Sequence, residues 1–389
     1  MSSSKRSTLV AASAIAVLAL LCLLGALSVR FLSIVLPVTL LPSDPATGRP
    51  LGAGDAIAFS VMRLDMLRPF QLYVLDDDRG IRSLTRGVRT GDTAPLWSPD
   101  GARIVYASIS GAVTHHVLID ADGGDPRPIT PDDAYQGLLR WSPDGSRLAY
   151  LAYPPNPDGS PSSSPYLCVI ELATGETHRA PAGSIQDLAW MPDGASLLAI
   201  VRGDEGMTVE AYGADGVHQR RLSVADFLRD AGSIALSPGA GRVAYVSLGP
   251  GADGECPAES LVISALDGSA TWPVGPLAVA GPIAWSPDGA RIAFIALTGD
   301  YDYALYVAGA DGAGLRELMV LNPGDESGEM LPAAPAWSPD GARLAIGSVS
   351  EPDHAAIWVM NAGGTDRREV VTVAGTGAMI YDLAWRPRP

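Results

Sequence analysis

The sequence predicts an all-β fold, a seven-bladed β-propeller, and three observations carry that prediction. A W-S-P-D-G-A-R segment recurs at Trp97, Trp285 and Trp337, as W-S-P-D-G-S-R at Trp141 and as W-M-P-D-G-A-S at Trp190. Two degenerate copies, L-S-P-G-A-G-R at Leu236 and W-R-P-R-P at Trp385, bring the positions to seven, spaced 44, 49, 46, 49, 52 and 48 residues apart. Periods of roughly 20–50 residues mark solenoids, propellers and arrays. Each interval also holds four short β-like runs divided by turns, the make-up of one propeller blade. A six-bladed ring is the alternative count.

Within a unit the first run ends in the motif Trp, as in Asp187-Leu188-Ala189-Trp190. The second follows the turn, as in Arg103-Ile104-Val105-Tyr106, Arg147-Leu148-Ala149-Tyr150 and Arg291-Ile292-Ala293-Phe294. A third run precedes a D-G or G-G turn, such as Leu305-Tyr306-Val307 before Asp311-Gly312. The fourth is short and ends near Leu84-Thr85 or Ile129-Thr130. The earliest second run, Ala56-Ile57-Ala58-Phe59, has no motif before it, and the last first run, Tyr381 to Trp385, has no second run after it. The two ends complement each other, so the C-terminal strand is expected to complete the blade begun at Ala56 and close the ring. Closure of this kind removes exposed strand edges.

The motif itself reads as scaffold. Proline presets φ at the second position of a turn, aspartate bonds nearby backbone N–H groups, and glycine takes the positive φ that follows. Asp100, Asp144, Asp193, Asp288 and Asp340 occupy the turn position. Trp97, Trp141, Trp190, Trp285, Trp337 and Trp385 account for six of the eight tryptophans, which points to packing between blades. Burying one indole side chain, about 150–250 Å² at ~25 cal/mol per Å², contributes at most roughly 4–6 kcal/mol.

Ahead of the repeats lie two further segments. Residues 1–30 read as a cytoplasmic stub and transmembrane helix: Lys5 and Arg6 precede an uncharged run from Ser7 to Val29. Thr8 to Val29 would span roughly 33 Å as a helix, enough for a hydrocarbon core of about 30 Å. Positive charge before the span predicts an N-terminus inside and the propeller on the extracytoplasmic side. Ala26-Leu27-Ser28 is a small-x-small site, so secretion after cleavage is the alternative. Residues 31–54 read as a juxtamembrane linker and 55–389 as the propeller. Cys22 falls in the span, and Cys168 and Cys256 fall in different repeats and read as unpaired thiols.

A formal charge of −16 excludes a nucleic-acid partner on electrostatic grounds. The W-S-P-D-G-x-R-(I/L)-A-(Y/F) repeats resemble the PD-type, WD-like propeller repeats of the TolB family across about residues 55–389. That family includes periplasmic TolB proteins, which bind lipoprotein partners, and the propeller domains of prolyl-oligopeptidase-like peptidases. The resemblance implies a propeller and, by analogy, a role in binding.

The chain offers little chemistry. No G-x-S-x-G nucleophile elbow occurs. His115 and His116 are strand neighbours and face opposite ways, so they cannot share a metal. His178, His218 and His354 lack ligand spacing. Asp76-Asp77-Asp78, Asp120-Ala121-Asp122-Gly123, Asp300-Tyr301-Asp302 and Asp325-Glu326 read as solvated turns, since none completes a calcium loop. No catalytic residue, cofactor or metal is therefore expected.

Loop lengths say more. The S-P-D-G turns keep one length, whereas second-to-third and fourth-to-first connections vary, notably Tyr153 to Pro165, Leu248 to Glu259, Ser223 to Gly232 and Val320 to Pro332. In an antiparallel blade these variable connections share one face. Binding residues concentrate on loops displayed by a rigid scaffold. Tyr153, Tyr166, Asp300, Tyr301 and Tyr303 are the expected contact residues, with Arg140 at the mouth of the central channel. The expectation is a membrane-anchored, non-catalytic module for a protein or glycan partner. Its rivals are a hydrolase or lyase acting at the channel mouth and a secreted periplasmic TolB-like protein.

Overall fold

The computed structural model describes residues 40–41 and, from Leu51 to Arg388, all but 52–53, 63–69, 78–79, 86–90, 111–112, 131–134, 204–205, 225–230, 250–257, 280, 299–301, 323–332, 352–353 and 375–378. The expected anchor at 8–29, the cleavage site, Cys22 and Cys256 lie outside these residues. Among the described residues no helix is long and apolar enough to cross a membrane.

The strands form seven antiparallel sheets, each ordered from first to fourth strand. Blade 1 joins the chain ends: its first strand is Met379–Trp385, followed by Ala56–Met62, Phe70–Asp76 and Gly80–Ser83. Blades 2 to 7 begin at Gly91–Trp97, Tyr135–Trp141, Ser184–Trp190, Ala231–Leu236, Ala284–Trp285 and Ala336–Trp337. The closure expected from the unmatched runs is present, with Ile57 opposite Trp385, Phe59 opposite Leu383 and Met62 opposite Met379. First strands of successive blades touch from Tyr135–Trp141 round to Gly91–Trp97, so they line the axis.

Burial follows from this arrangement. A second strand such as Arg147–Tyr153 (R-L-A-Y-L-A-Y) is buried at every position but its two ends, because neighbouring blades cover both faces. Its sequence is accordingly a near-continuous apolar run rather than an alternating one. The fourth strand of the same blade, Thr177–Pro181, is almost entirely exposed and reads T-H-R-A-P.

Three strand boundaries add detail to the sequence reading. The fourth strands of blades 1 and 2 stop at Ser83 and Pro128, short of the Leu-Thr and Ile-Thr pairs. The threonines leave the ladder but keep its bonding, since the hydroxyls of Thr85 and Thr130 accept from the backbone N–H of Leu72 (3.2 Å) and His116 (2.7 Å). Leu40–Leu41, placed in the linker, instead pairs with the outer strand of blade 7, opposite Val373 and Thr372.

The turns repeat one set of bonds. Ser98 Oγ donates to Asp100 Oδ1 (2.5 Å) and accepts from Arg103 N (2.9 Å), while Ala102 N donates to the same carboxylate oxygen (3.0 Å). Equivalent bonds hold the turns at Ser142, Ser286 and Ser338. Gly101 has φ +66°, and a Cβ there would lie 2.8 Å from the Pro387 carbonyl oxygen. Glycine is required at this position for both reasons. The serine bond holds the Asp144 carboxyl well below the usual range, at about 2, and shifts Asp100, Asp288 and Asp340 in the same direction.

The tryptophans join blades. Each indole N–H donates to a carbonyl in the first strand of the preceding blade: Trp97 to Ala384, Trp141 to Leu96, Trp190 to Arg140, Trp285 to Ala235, Trp337 to Ala284 and Trp385 to Ala336, at 3.0–3.3 Å. The motif arginine then caps the next indole. Arg103, Arg147, Arg291 and Arg343 lie 4.7–5.8 Å above the rings of Trp141, Trp190, Trp337 and Trp385. Blade 1 has Ala56 where the motif arginine would stand, and Arg386, one residue past Trp385, takes the place above Trp97 at 5.6 Å.

Candidate functional site

The face opposite the S-P-D-G turns carries one fully described long connection, the segment between Tyr153 and Tyr166 of blade 3. It is a small folded hairpin, not an open loop. Ser162 N donates to Pro154 O (2.8 Å), Asn156 N to Ser160 O (2.7 Å), and an isolated bridge pairs Pro155 with Pro161. Its tip, Asn156-Pro157-Asp158-Gly159-Ser160, copies the motif turn. Gly159 N donates to Asn156 O (2.9 Å) and Ser160 N to Asp158 Oδ1 (2.9 Å), as Gly101 N and Ala102 N do with Ser98 and Asp100. The Asp158 carboxyl is lowered by the same kind of serine bond, from Ser160. All residues from Pro155 to Pro161 are exposed.

Tyrosines flank the base of this hairpin. Tyr153 ends the second strand and lies opposite Tyr135, which begins the first. Tyr153 is half-buried and packs on the core between blades 3 and 4, and burial pushes its hydroxyl pKa up. Tyr135 reaches the hairpin tip, donating to the Gly159 carbonyl at 3.4 Å. Tyr166 begins the third strand, with the Arg179 guanidinium 4.2 Å from its ring centre. The arrangement presents half-exposed aromatic surface, a cation and a pre-ordered proline-rich projection side by side.

The expected site residues do not all come together. Tyr153 and Tyr166 share the end of blade 3, whereas Tyr303 begins the third strand of blade 6. Asp300 and Tyr301 lie outside the described residues. Arg140 stands next to Trp141, at the turn end of its strand, away from the tyrosines. Its Nη2 donates to Asp187 Oδ1 (2.7 Å) and its Nε to Leu188 O (2.9 Å), so it ties blade 3 to blade 4. Tyr135, Arg179 and the internal turn were not singled out from the sequence. The N-P-D-G-S string within the loop was the available signal.

The remaining polar groups are dispersed. His116 is buried, its ring edge-on to Tyr150 at 5.5 Å, and burial pushes its pKa down to about 4. Two polar clefts, of about 340 and 370 Å³, open between blades 3 and 4 and between blades 1 and 2, bordered by Arg147, Glu171 and His178 and by Asp76, Arg82 and Asp120 respectively. Among the described residues no three His, Cys, Asp or Glu side chains converge as metal ligands do.

Solved structures share this architecture. A puromycin-hydrolyzing peptidase of Mycobacterium tuberculosis superposes with a TM-score of 0.58 at 18% identity, over 85% of this chain and 53% of the peptidase. An oligogalacturonate lyase of Vibrio parahaemolyticus gives 0.55 at 13% identity, over 78% of this chain and 83% of the lyase. TolB from Acinetobacter baumannii gives 0.51 at 16% identity, over 86% of this chain and 67% of TolB. The fold is that of a TolB-like β-propeller. No family model and no curated protein matches the sequence. Likeness at this level is one of fold, and a propeller fold hosts unrelated functions.

Proposed function

We propose that this TolB-like propeller is a membrane-anchored, extracytoplasmic binding module that holds a protein or glycan partner without catalysing a reaction on it. The observation that carries the reading is the folded hairpin 154–165 with Tyr135, Tyr153 and Tyr166 at its base. A loop that already holds its bound shape loses little conformational entropy on association. Tyrosine supplies large, amphipathic contact area with few rotatable bonds. The anchor rests on the uncharged run Thr8 to Val29, and the outward orientation on Lys5 and Arg6 before it.

The test is a graft. Replacing residues 155–164 by a two-residue Asn-Gly turn is expected to abolish crosslinking to the native partner in intact cells. The melting temperature should stay within about 2 °C, because surface changes away from the core alter stability by roughly 0.5 kcal/mol or less. Undiminished crosslinking by the graft would overturn the proposal.

A further inference from the structure

We infer that the ring has one built-in opening point, the seam between blades 4 and 5. The repeat joins blades with an indole hydrogen bond at six of the seven junctions and, at five of these, a motif-type guanidinium stacked on that indole. At the junction of blades 5 and 6 the indole bond from Trp285 remains, while Arg242 lies over Trp272 and donates to Ala310 O. Between blades 4 and 5 both halves are missing. Ser196 stands where the motif arginine belongs, and Leu236 stands where the next tryptophan belongs.

The other departures gather at the same seam. Met191 replaces the motif serine of blade 4, and in blade 5 Gly239 replaces the aspartate. Ala240 replaces the turn glycine and is held at φ +48°, a region that disfavours a side chain. In place of the stack, Asp187 Oδ2 accepts from the backbone N–H of Leu236 at 2.8 Å. Its other oxygen is already engaged by Arg140 and Leu188 N. Among the described residues Ile200, Met207 and Val209 meet Leu236, Val243 and Tyr245, Leu198 and Ala211 meet Ala240, and Leu266 packs against both groups.

The position of this seam gives the departures a direction. Three blades separate it from blade 1 on each side, and blade 1 carries ties beyond those of the repeat. There the buried Asp55 accepts from Arg343 and from Arg388 (2.8 Å), and Asp382 Oδ2 accepts from Ser60, Thr93 and Ala94 at 2.6–2.9 Å. A repeat assembly whose stability is a sum of nearest-neighbour interfaces opens first at its weakest interface. Opening here would separate a pair of three-blade arms that stay joined through the latched blade.

Two native methionines test it. Met207 is 0% exposed in the core between blades 4 and 5, and Met360 is 1% exposed in the core between blades 6 and 7. Oxidation of the buried thioether requires the seam around it to open. Mild peroxide treatment of the full chain, read by peptide mass spectrometry, is expected to oxidise Met207 about tenfold faster than Met360. The double variant Ser196→Arg, Leu236→Trp restores the missing pair and should bring the two rates together. Equal rates in the unaltered protein, or a slower Met207, would overturn the inference whether or not the double variant folds.

Discussion

The two faces of the propeller use the same turn for different ends. On one face S-P-D-G sits between a tryptophan and an arginine, and its bonds continue into the next blade. On the other, N-P-D-G-S makes the corresponding backbone bonds at the tip of the 154–165 hairpin, but prolines and serines flank it and its residues are exposed. The turn chemistry is therefore indifferent to role. What makes one copy scaffold and the other display is the pair of large side chains on either side.

The strongest way to break this comparison is to remove a scaffold element whole. Deleting the chain from Met379 takes away the first strand of blade 1, Trp385 and the Arg388 contact to Asp55. The expected outcome is a fall in melting temperature of roughly 10 °C or more with a broadened transition, because the ladder and one buried indole are lost together. An unchanged calorimetric melt would show that the ring is not closed by this strand.

A middle-sized effect comes from copying the natural exception. Trp337→Leu removes the indole bond to Ala284 and the surface on which Arg291 lies, as at Leu236. A loss of about 2–4 kcal/mol in urea unfolding is expected, less than full truncation because leucine refills some of the space. A cost below about 0.5 kcal/mol would mean that the stacks contribute little and that the seam between blades 4 and 5 is no weaker than its neighbours.

The smallest effect separates the two turns most cleanly. Asp144 and Asp158 both titrate below the ordinary carboxylate range, each chiefly through a serine bond. A depressed folded-state pKa adds stability above the unfolded value, near 4, and that stability is lost as pH falls through the folded value, about 2 for Asp144. Asp144→Ala should cost roughly 0.5–1.5 kcal/mol at neutral pH and flatten the decline of melting temperature between about pH 4 and 2. Asp158→Ala should leave the global melt unchanged at every pH, since the hairpin can unravel without the ring. Equal effects of the two substitutions on the melt would erase the distinction between the faces.

Much of this was readable along the chain. The W-S-P-D-G repeat, the unmatched runs at Ala56 and Tyr381 and the constant turn length specify seven blades and their closure, because strand and turn are set by local sequence and repeat at a fixed interval. The candidate site was only half readable. Tyr153 and Tyr166 could be proposed from the loop between them, but Tyr135 joins them only through strand pairing, and Arg179 only because the fourth strand returns beside the third. Arg140 shows the converse: its repeat position, one residue before Trp141, was legible, its engagement with Asp187 of the next blade was not.

By itself the sequence determined the blade, its turn, the number of copies and which face is held constant, all consequences of interactions a few residues apart. Only the tertiary structure decided that Tyr153 to Pro165 is a hairpin, that Arg386 stands in for a missing motif arginine, and that Asp187 accepts from Leu236 across the seam between blades 4 and 5. Those outcomes depend on contacts between residues about 40 or more positions apart, or on a loop closing on itself, and spacing along a chain carries no record of which distant neighbours will meet.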